Sequence, residues 1–473
     1  MKKSVIRKIY IGIFAGMLSI PTVCMTFYKT DMSAEKRIAT RMPNVLTESG
    51  RINTTFFNEL DGYYNDHFAF RQEMATLDEV LTTKLAFTSN NDNVIYGKKG
   101  WLYYGETLNE YQGVDVLSDR AIFNAATSIR LMQEYCESLG CKFVFTVAPV
   151  KASLYPEYLP DNIIKVSSVN NLSKLVNAMD KQKINYVNLH DLFAKDDRIL
   201  YHKWDTHWNN EGAALAMKYL QDACGRDYTD YENEKYSITK DFKGDLYTML
   251  YPKGKALDEN VTYEKQHEFV YDDAFKSVED NKIQATCSNK DGSLVMYRDS
   301  YGNALIPFMA DEYEKSYFTK IVPYNMLEVK DKEANVVMAE ITQRHISYLT
   351  RYAPVMPAAI YEDLPSEIET VKKNDTAKVS EENGMILITG LVDEKYTDSD
   401  SRIFVRVMDS EYITDYEATP VANTLNNNGK VSDYNYTVYL DKSLLIEGKN
   451  DVCIITEKDG KYISSEVITN FDI

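Results

Sequence analysis

The chain has 473 residues, too many for one ordinary domain, and with 44% hydrophobic and 12% aromatic residues it can bury several cores. Its 53 Lys plus Arg stand against 71 Asp plus Glu, a net charge of −18. Such a surface repels nucleic acid and anionic lipid, and no basic patch with interleaved aromatics offsets it, so no nucleic-acid partner is expected.

The first element is apolar. Lys2, Lys3, Arg7 and Lys8 precede the uncharged run "IYIGIFAGMLSIPTVCMTFY", and Lys29 closes it. About twenty residues at 1.5 Å each span a bilayer core of roughly 30 Å. The leading positive charge keeps that end cytoplasmic and sends the remainder outward. Residues 1–29 therefore read as an uncleaved single-pass anchor, with a cleaved signal sequence as the alternative; both export the chain. The segment around residues 19–26 offers no clear small-x-small cleavage site, and Val23 before Cys24 does not suit a lipoprotein. The expected location is the cell membrane with the bulk of the chain outside the cytoplasm, or secretion if the segment is removed.

Residues 30–90 read as a mostly helical lead-in. An α/β rhythm follows over residues 91–353. "GWLYYG" is a short strand. In "DRAIFNAATSIRLMQEYCESLG", Ile122, Ala125, Ile129, Met132 and Cys136 share one helical face. "KFVFTVAP" is a continuous apolar run of strand length, as expected of a strand buried on both faces. A helix over "VNNLSKLVNAMDKQ", a strand in "INYVNLHDLF" and a helix carrying Ala213, Ala216, Met217, Leu220 and Cys224 come next. Residues 225–290 are polar and Tyr-rich and read as an insertion. "SLVMYRDS" is another buried strand, followed by a helix that Asn303 is expected to cap, and "ANVVMAEI" is a last strand. Strands and helices alternating at these lengths predict a mostly parallel sheet flanked by helices. Residues 354–383 are charged and read as a linker. Over residues 384–473 the period changes to two, which predicts an antiparallel β-sandwich. Its Tyr412, Tyr416, Tyr434 and Tyr436 are candidates for stacking on carbohydrate, although tyrosines are common in strands for structural reasons alone.

Five cysteines follow the apolar run, an odd number with no zinc-type spacing. Cys136 and Cys141 flank a helix–strand turn and either pair or stay separate buried thiols.

Two short stretches carry chemistry. Ser300 follows a buried strand and precedes a helix, where open α/β sheets bind ligands and where an oxyanion finds N–H donors. The alternative is an ordinary turn serine, since the GxSxG elbow is absent. The stretch "YHKWDTHWNN" places Asp205 and His207 two apart, so that an extended segment would project both to one side. A carboxylate there orients an imidazole and stabilises its protonated form, as a general base requires. A helix capped by Asn209 or Asn210 begins just after. A metal site built on His202, Asp205 and His207 is disfavoured, because His202 and His207 would point to opposite faces. Trp101, Trp204 and Trp208 suit core packing better than carbohydrate stacking.

"YHKWDTHWNNEGA" resembles the signature of the DHHW protein family and of the related alginate O-acetylation proteins, within the SGNH hydrolase superfamily. "RDSYGN" is similar to that family's nucleophile block, except that Arg298 stands where its consensus has Gly. "HFAFRQ", "GKKGWLYYGE" and "APVKASLYPEYLP" resemble further blocks in the family's order. The resemblance implies a catalytic triad of Ser300, His207 and Asp205 and an acyl-enzyme. It implies an extracytoplasmic O-acyltransferase, chiefly an O-acetyltransferase, for which a polysaccharide is the acceptor and a membrane-bound O-acyltransferase the acyl-donating partner. Backbone N–H groups of Ser300 and Tyr301 would be oxyanion donors. Arg298 would add positive charge or pair locally, Lys151 would touch substrate, and Asp299 would be structural. No cofactor and no metal are implied. A carbohydrate esterase with the same triad is the alternative, and a non-catalytic glycan-binding surface protein is a third reading.

Overall fold

The computed structural model describes residues 3–28, 39–47, 49–365, 367–422, 424–425 and 431–473. Lys2, Lys29 and the start of the lead-in lie outside the described residues. Helix α1 (Lys3–Cys24) is long and apolar enough to cross a membrane. Helices α2 (Phe56–His67) and α3 (Arg71–Ala86) form the lead-in.

The central sheet has seven strands, in the order Tyr186–Val187, Lys142–Ala148, Val336–Thr342, Ser293–Tyr297, Lys315–Thr319, Lys282–Thr286 and Val270–Tyr271. The first five run parallel, and the last two continue the sheet antiparallel. Alternation along the inner strands feeds two cores. Val144, Leu294, Met296, Val336 and Met338 point to one, which contains the helices Asn210–Cys224 and Gly302–Ala310. Phe143, Phe145, Val295, Tyr297 and Val337 point to the other, under the helices Asp119–Ser138 and Asn171–Lys181. Burial on both faces is why these strands read as unbroken apolar runs.

Two sequence expectations are extended here. Residues 225–290 are not only a polar insertion, since Val270–Tyr271 and Lys282–Thr286 extend the central sheet. A hairpin of Tyr236–Phe242 and Asp258–Tyr263 encloses the helix Asp245–Leu250 in the same region. Nor is 354–383 only a linker, because Glu369–Val371 and Lys378–Glu382 are strands. Both lie at sheet edges, where charged side chains remain in water and mask the strand pattern.

The C-terminal strands form a six-stranded and a four-stranded sheet. Val405, Val407 and Ile454 of one and Ile388, Val438 and Leu440 of the other share one apolar cluster. These sheets rest on the helix Asp119–Ser138. The Arg120 guanidinium donates to the Ser401 carbonyl, Asn124 Nδ2 donates to the Asp433 carbonyl, and Arg130 pairs with Glu417.

Candidate active site

The stretch 200–209 is a tight loop rather than an extended strand. Tyr201 and Trp208 form an isolated bridge, and His202 N–H donates to the His207 carbonyl at 3.2 Å. Asp205 and His207 meet because the chain turns between them. Asp205 Oδ1 accepts the His207 backbone N–H at 2.9 Å, the side-chain-to-backbone turn typical of Asp. The same oxygen accepts from His207 Nδ1 at 2.7 Å. Asn209 caps the following helix by accepting from Gly212 N–H, and its amide donates to the Ile199 carbonyl.

Ser300 lies 93 residues further along the chain, in the turn between the strand Ser293–Tyr297 and the helix Gly302–Ala310. Its Oγ is 2.9 Å from His207 Nε2. With Nδ1 donating to Asp205, Nε2 is the acceptor for the Ser300 hydroxyl. The three residues thus form one unbroken hydrogen-bond chain. It opens into a cavity of about 1070 Å³ lined by Ser300, His207 and Arg344, by residues of α3, and by Asp245 and its neighbours in the 243–253 segment.

Burial and neighbouring charge act against one another on both residues. Burial disfavours the His207 imidazolium, but the carboxylates of Asp205 and Asp245 outweigh it and raise the pKa above the ordinary histidine value. Burial also works against the Asp205 carboxylate, yet His207 and two backbone N–H donors hold its pKa well below the usual range.

Asp245 was not legible as a site residue. Gly244 makes its approach possible, since a Cβ there would stand 2.3 Å from the Trp204 carbonyl oxygen. Asp245 N–H then donates to Asp205 Oδ2 at 2.7 Å. The Asp245 carboxylate accepts from Thr206 N–H and Leu246 N–H and lies 4.0 Å from His207 Nδ1. Ligand atoms of Asp205, His207 and Asp245 fall within 4.8 Å of one another, a set that could hold a cation. His202 does not join it: its ring stacks on Phe242 at 3.7 Å, and its Nδ1 meets the Glu259 carbonyl.

Of three further sequence candidates, Lys151 and Tyr301 take positions other than those expected, and Arg298 takes the local-pairing alternative. Lys151 does not reach the cavity. It is buried beside Trp101 and Tyr103, and its ammonium donates to the carbonyls of His202 at 3.1 Å, Lys203 at 3.3 Å and Asp205 at 2.5 Å. Burial pushes its pKa down to about 8. It is a strut under the Asp205–His207 loop.

Arg298 is likewise buried and turned away. It donates to the carbonyls of Val278, Asp280 and Asp299 and to Asn303 Oδ1, and burial pushes its pKa down to about 10. Asn303 is therefore an acceptor for Arg298 rather than a helix cap. Gly302 gives the arginine its path, because a Cβ at 302 would stand 2.6 Å from Arg298 Cδ.

Tyr301 N–H is not open to an oxyanion, since it donates to Asp299 Oδ1 at 2.8 Å. The Tyr301 ring supports the site instead. It packs 4.7 Å from the His207 ring and edge-on to Trp208, and its hydroxyl donates to the Thr206 carbonyl.

Asp299 holds the turn that carries Ser300. Its other carboxylate oxygen accepts Thr342 N–H, and its own N–H donates to the buried Glu340. Burial and the neighbouring Asp299 push the Glu340 pKa well up.

Arg344 is the second residue the sequence reading missed. It follows the strand Val336–Thr342, adjacent to the strand that leads to Ser300. Its Nε is 3.3 Å from His345 Nε2, and its guanidinium lies 5.5 Å from the Tyr104 ring centroid. Its Nη1 is buried with no hydrogen-bond partner among the described residues, and the residue lines the same cavity as Ser300. No local motif marks an arginine after a strand.

The aromatic candidates are mostly structural. Trp101 stacks on Tyr158, Trp204 on Tyr247, and Trp208 sits against Tyr301. In the C-terminal sheets Tyr416 and Tyr436 are core residues and Tyr434 packs against Arg120, which leaves Tyr412 exposed. Cys136 and Cys141 are separate buried thiols.

Ser300, the last member of this Asp–His–Ser chain, lies at the end of a strand of the α/β sheet. Residues 94–283 match the family model "SGNH hydrolase-like domain, acetyltransferase AlgX". The match contains Asp205, His207 and Asp245 and ends before Ser300. The probable alginate O-acetylase AlgJ of Pseudomonas syringae pv. tomato is 28% identical over 261 residues, 52% of this chain and 60% of that protein. The chain thus spans less than two thirds of the length of the curated relatives it matches. Among solved structures, a DHHW family protein from Eubacterium siraeum is 18% identical with a TM-score of 0.41, covering 55% of this chain and 93% of that one. Bacillus cereus PatB1 is 16% identical with a TM-score of 0.43, covering 55% and 99%. The family resemblance drawn from "YHKWDTHWNNEGA" and "RDSYGN" is borne out.

Proposed function

We propose that this chain is a membrane-anchored O-acyltransferase that acetylates a polysaccharide outside the cytoplasm. The single observation that carries the proposal is the unbroken hydrogen-bond chain from Asp205 through His207 to Ser300, open to a cavity large enough for a sugar ring and its neighbours. The AlgX-type family match and the AlgJ relatives supply the acetyl group and the polysaccharide.

In this reading His207 Nε2 takes the proton of Ser300 Oγ as that oxygen attacks the acyl carbonyl. Asp205 stabilises the imidazolium formed. The developing oxyanion faces the Ser300 N–H, which has no acceptor among the described residues, and the guanidinium of Arg344. His207 then protonates the leaving group, and the acyl-enzyme remains. A sugar hydroxyl enters, His207 removes its proton, and the acyl group moves to the sugar as Ser300 is released. The acyl group comes from a membrane-bound O-acyltransferase partner, because the exported side holds no acetyl-CoA. α1 keeps the chain at the membrane where that partner works.

The test is the purified full chain given a soluble acetyl ester and an oligosaccharide acceptor. Acetylated oligosaccharide that disappears with Ser300→Ala is the expected result. Donor hydrolysis alone would make the chain an esterase, and activity unchanged in Ser300→Ala would refute both.

A further inference from the structure

Helix α3 is amphipathic in the inverted sense. Its face toward the protein is polar: Gln72, Glu79 and Thr83 are buried. That face is tied down by Tyr251 donating to Thr83 Oγ1 at 2.9 Å, Lys253 N–H donating to Thr76 Oγ1 at 3.0 Å, and Asn90 N–H donating to Glu79 Oε1. The opposite face carries Met74, Leu77, Leu81 and Leu85, which are 39%, 60%, 51% and 78% exposed. The spacing i, i+3, i+7, i+11 puts all four on one stripe about 16 Å long. A continuous exposed apolar stripe marks a contact surface.

The position of α3 says what covers it. Tyr64 of α2 shares a 2.6 Å hydrogen bond with Thr22, in the last turn of α1. Tyr28, just past α1, packs its ring 4.9 Å from Phe70 and bonds Glu73. The stripe therefore begins within one helical turn of the point where the apolar span leaves the membrane. We infer that α3 lies on the bilayer surface, its Met74, Leu77, Leu81 and Leu85 stripe inserted among the lipid chains. This rests on the reading of α1 as a membrane span. Attraction comes from apolar insertion rather than charge, since Asp78 and Lys84 flank the stripe and the chain as a whole is acidic.

The consequence concerns the active site. The inner side of the same helix, at Arg71, Gln72, Ala75 and Glu79, is a wall of the cavity that holds Ser300. One helix diameter, about 10 Å, then separates the cavity wall from the lipid. The donor site opens at the membrane surface, where an acyl group delivered from within the membrane emerges.

The test places a tryptophan reporter in the full chain, reconstituted in phosphatidylcholine nanodiscs with brominated or ordinary acyl chains. The unsubstituted protein sets the baseline for Trp101, Trp204 and Trp208. Leu81→Trp is expected to show blue-shifted emission, with its added fluorescence roughly halved by the brominated lipid. Phe14→Trp in α1 is the control for the span. Quenching of the α1 reporter with no quenching at Leu81→Trp overturns this inference while leaving the anchor intact. That holds whether the Leu81→Trp emission is red-shifted in water or blue-shifted by contact with a second copy. No quenching at Phe14→Trp overturns the anchor, and this inference falls with it.

Discussion

Asp205→Asn probes the site most sharply, because the structure specifies which way the new amide must face. The carboxylate accepts three donors: His207 N–H at 2.9 Å and His207 Nδ1 at 2.7 Å on Oδ1, and Asp245 N–H at 2.7 Å on Oδ2. An asparagine offers one acceptor oxygen. With that oxygen at the Oδ1 position, both His207 bonds survive and only Asp245 N–H is orphaned, at about 1–3 kcal/mol. The flipped amide orphans the His207 N–H and, by facing Nδ1 with its own N–H, forces the His207 proton onto Nε2, where it blocks acceptance from Ser300. The first orientation is lower in energy, so the correct tautomer is retained and only the carboxylate's charge is lost. The expected outcome is a kcat/KM for a chromogenic acetyl ester lowered about 10²-fold, with a further drop in Asp205→Ala. Stability should follow the same logic. The depressed Asp205 pKa adds stability above about pH 4, lost on acidification, and the raised His207 pKa adds stability below about pH 6.5, lost as pH rises. The stability difference between the wild type and Asp205→Asn, read by denaturant titration, is therefore greatest between those values and smaller at pH 9. Equal activity in the Asn and Ala variants, or a stability difference indifferent to pH, would refute this reasoning.

Other outcomes follow from the same geometry. Asp245→Asn removes a charge 4.0 Å from His207 Nδ1; it should lower the His207 pKa and move the acidic limb of the kcat/KM profile to lower pH, and a shift to higher pH would contradict the assignment. Lys151→Met leaves three carbonyls under the Asp205–His207 loop without their donor. It should cost about 2 kcal/mol of stability, part of the loss being offset by removal of a buried charge, and should lower kcat with KM little changed, because Lys151 does not line the cavity. Arg344→Gln should lower kcat far more than it raises KM if the guanidinium meets the oxyanion, which steady-state kinetics will separate. Gly302→Ala drives a methyl into the Arg298 side chain and should lower the melting temperature; pairing it with Arg298→Gly should recover part of that loss, since the obstructing side chain is then gone.

The sequence by itself determined the layers and marked Asp205, His207 and Ser300 as candidates. Strands buried on both faces must be apolar throughout, so "KFVFTVAP", "SLVMYRDS" and "ANVVMAEI" announced a covered parallel sheet. "DTH" and "RDS" carried residue types whose joint chemistry is narrow. The tertiary structure decided what those motifs touch. It closed the gap between His207 and Ser300 to 2.9 Å. It also gave the Tyr301 N–H to Asp299, turned Lys151 and Arg298 inward as struts, and brought in Asp245 and Arg344 from segments with no motif of their own. Those outcomes depend on which carbonyls and carboxylates lie within about 3 Å of a side chain, and hydrogen-bond geometry at that range is set by packing between segments far apart in the chain. The inversion of α3 has the same origin. Helix was legible over residues 30–90, but helical character does not say which face of α3 turns inward. Whether the apolar face turns into the protein or away from it was settled by Thr76, Glu79 and Thr83 finding their partners inside.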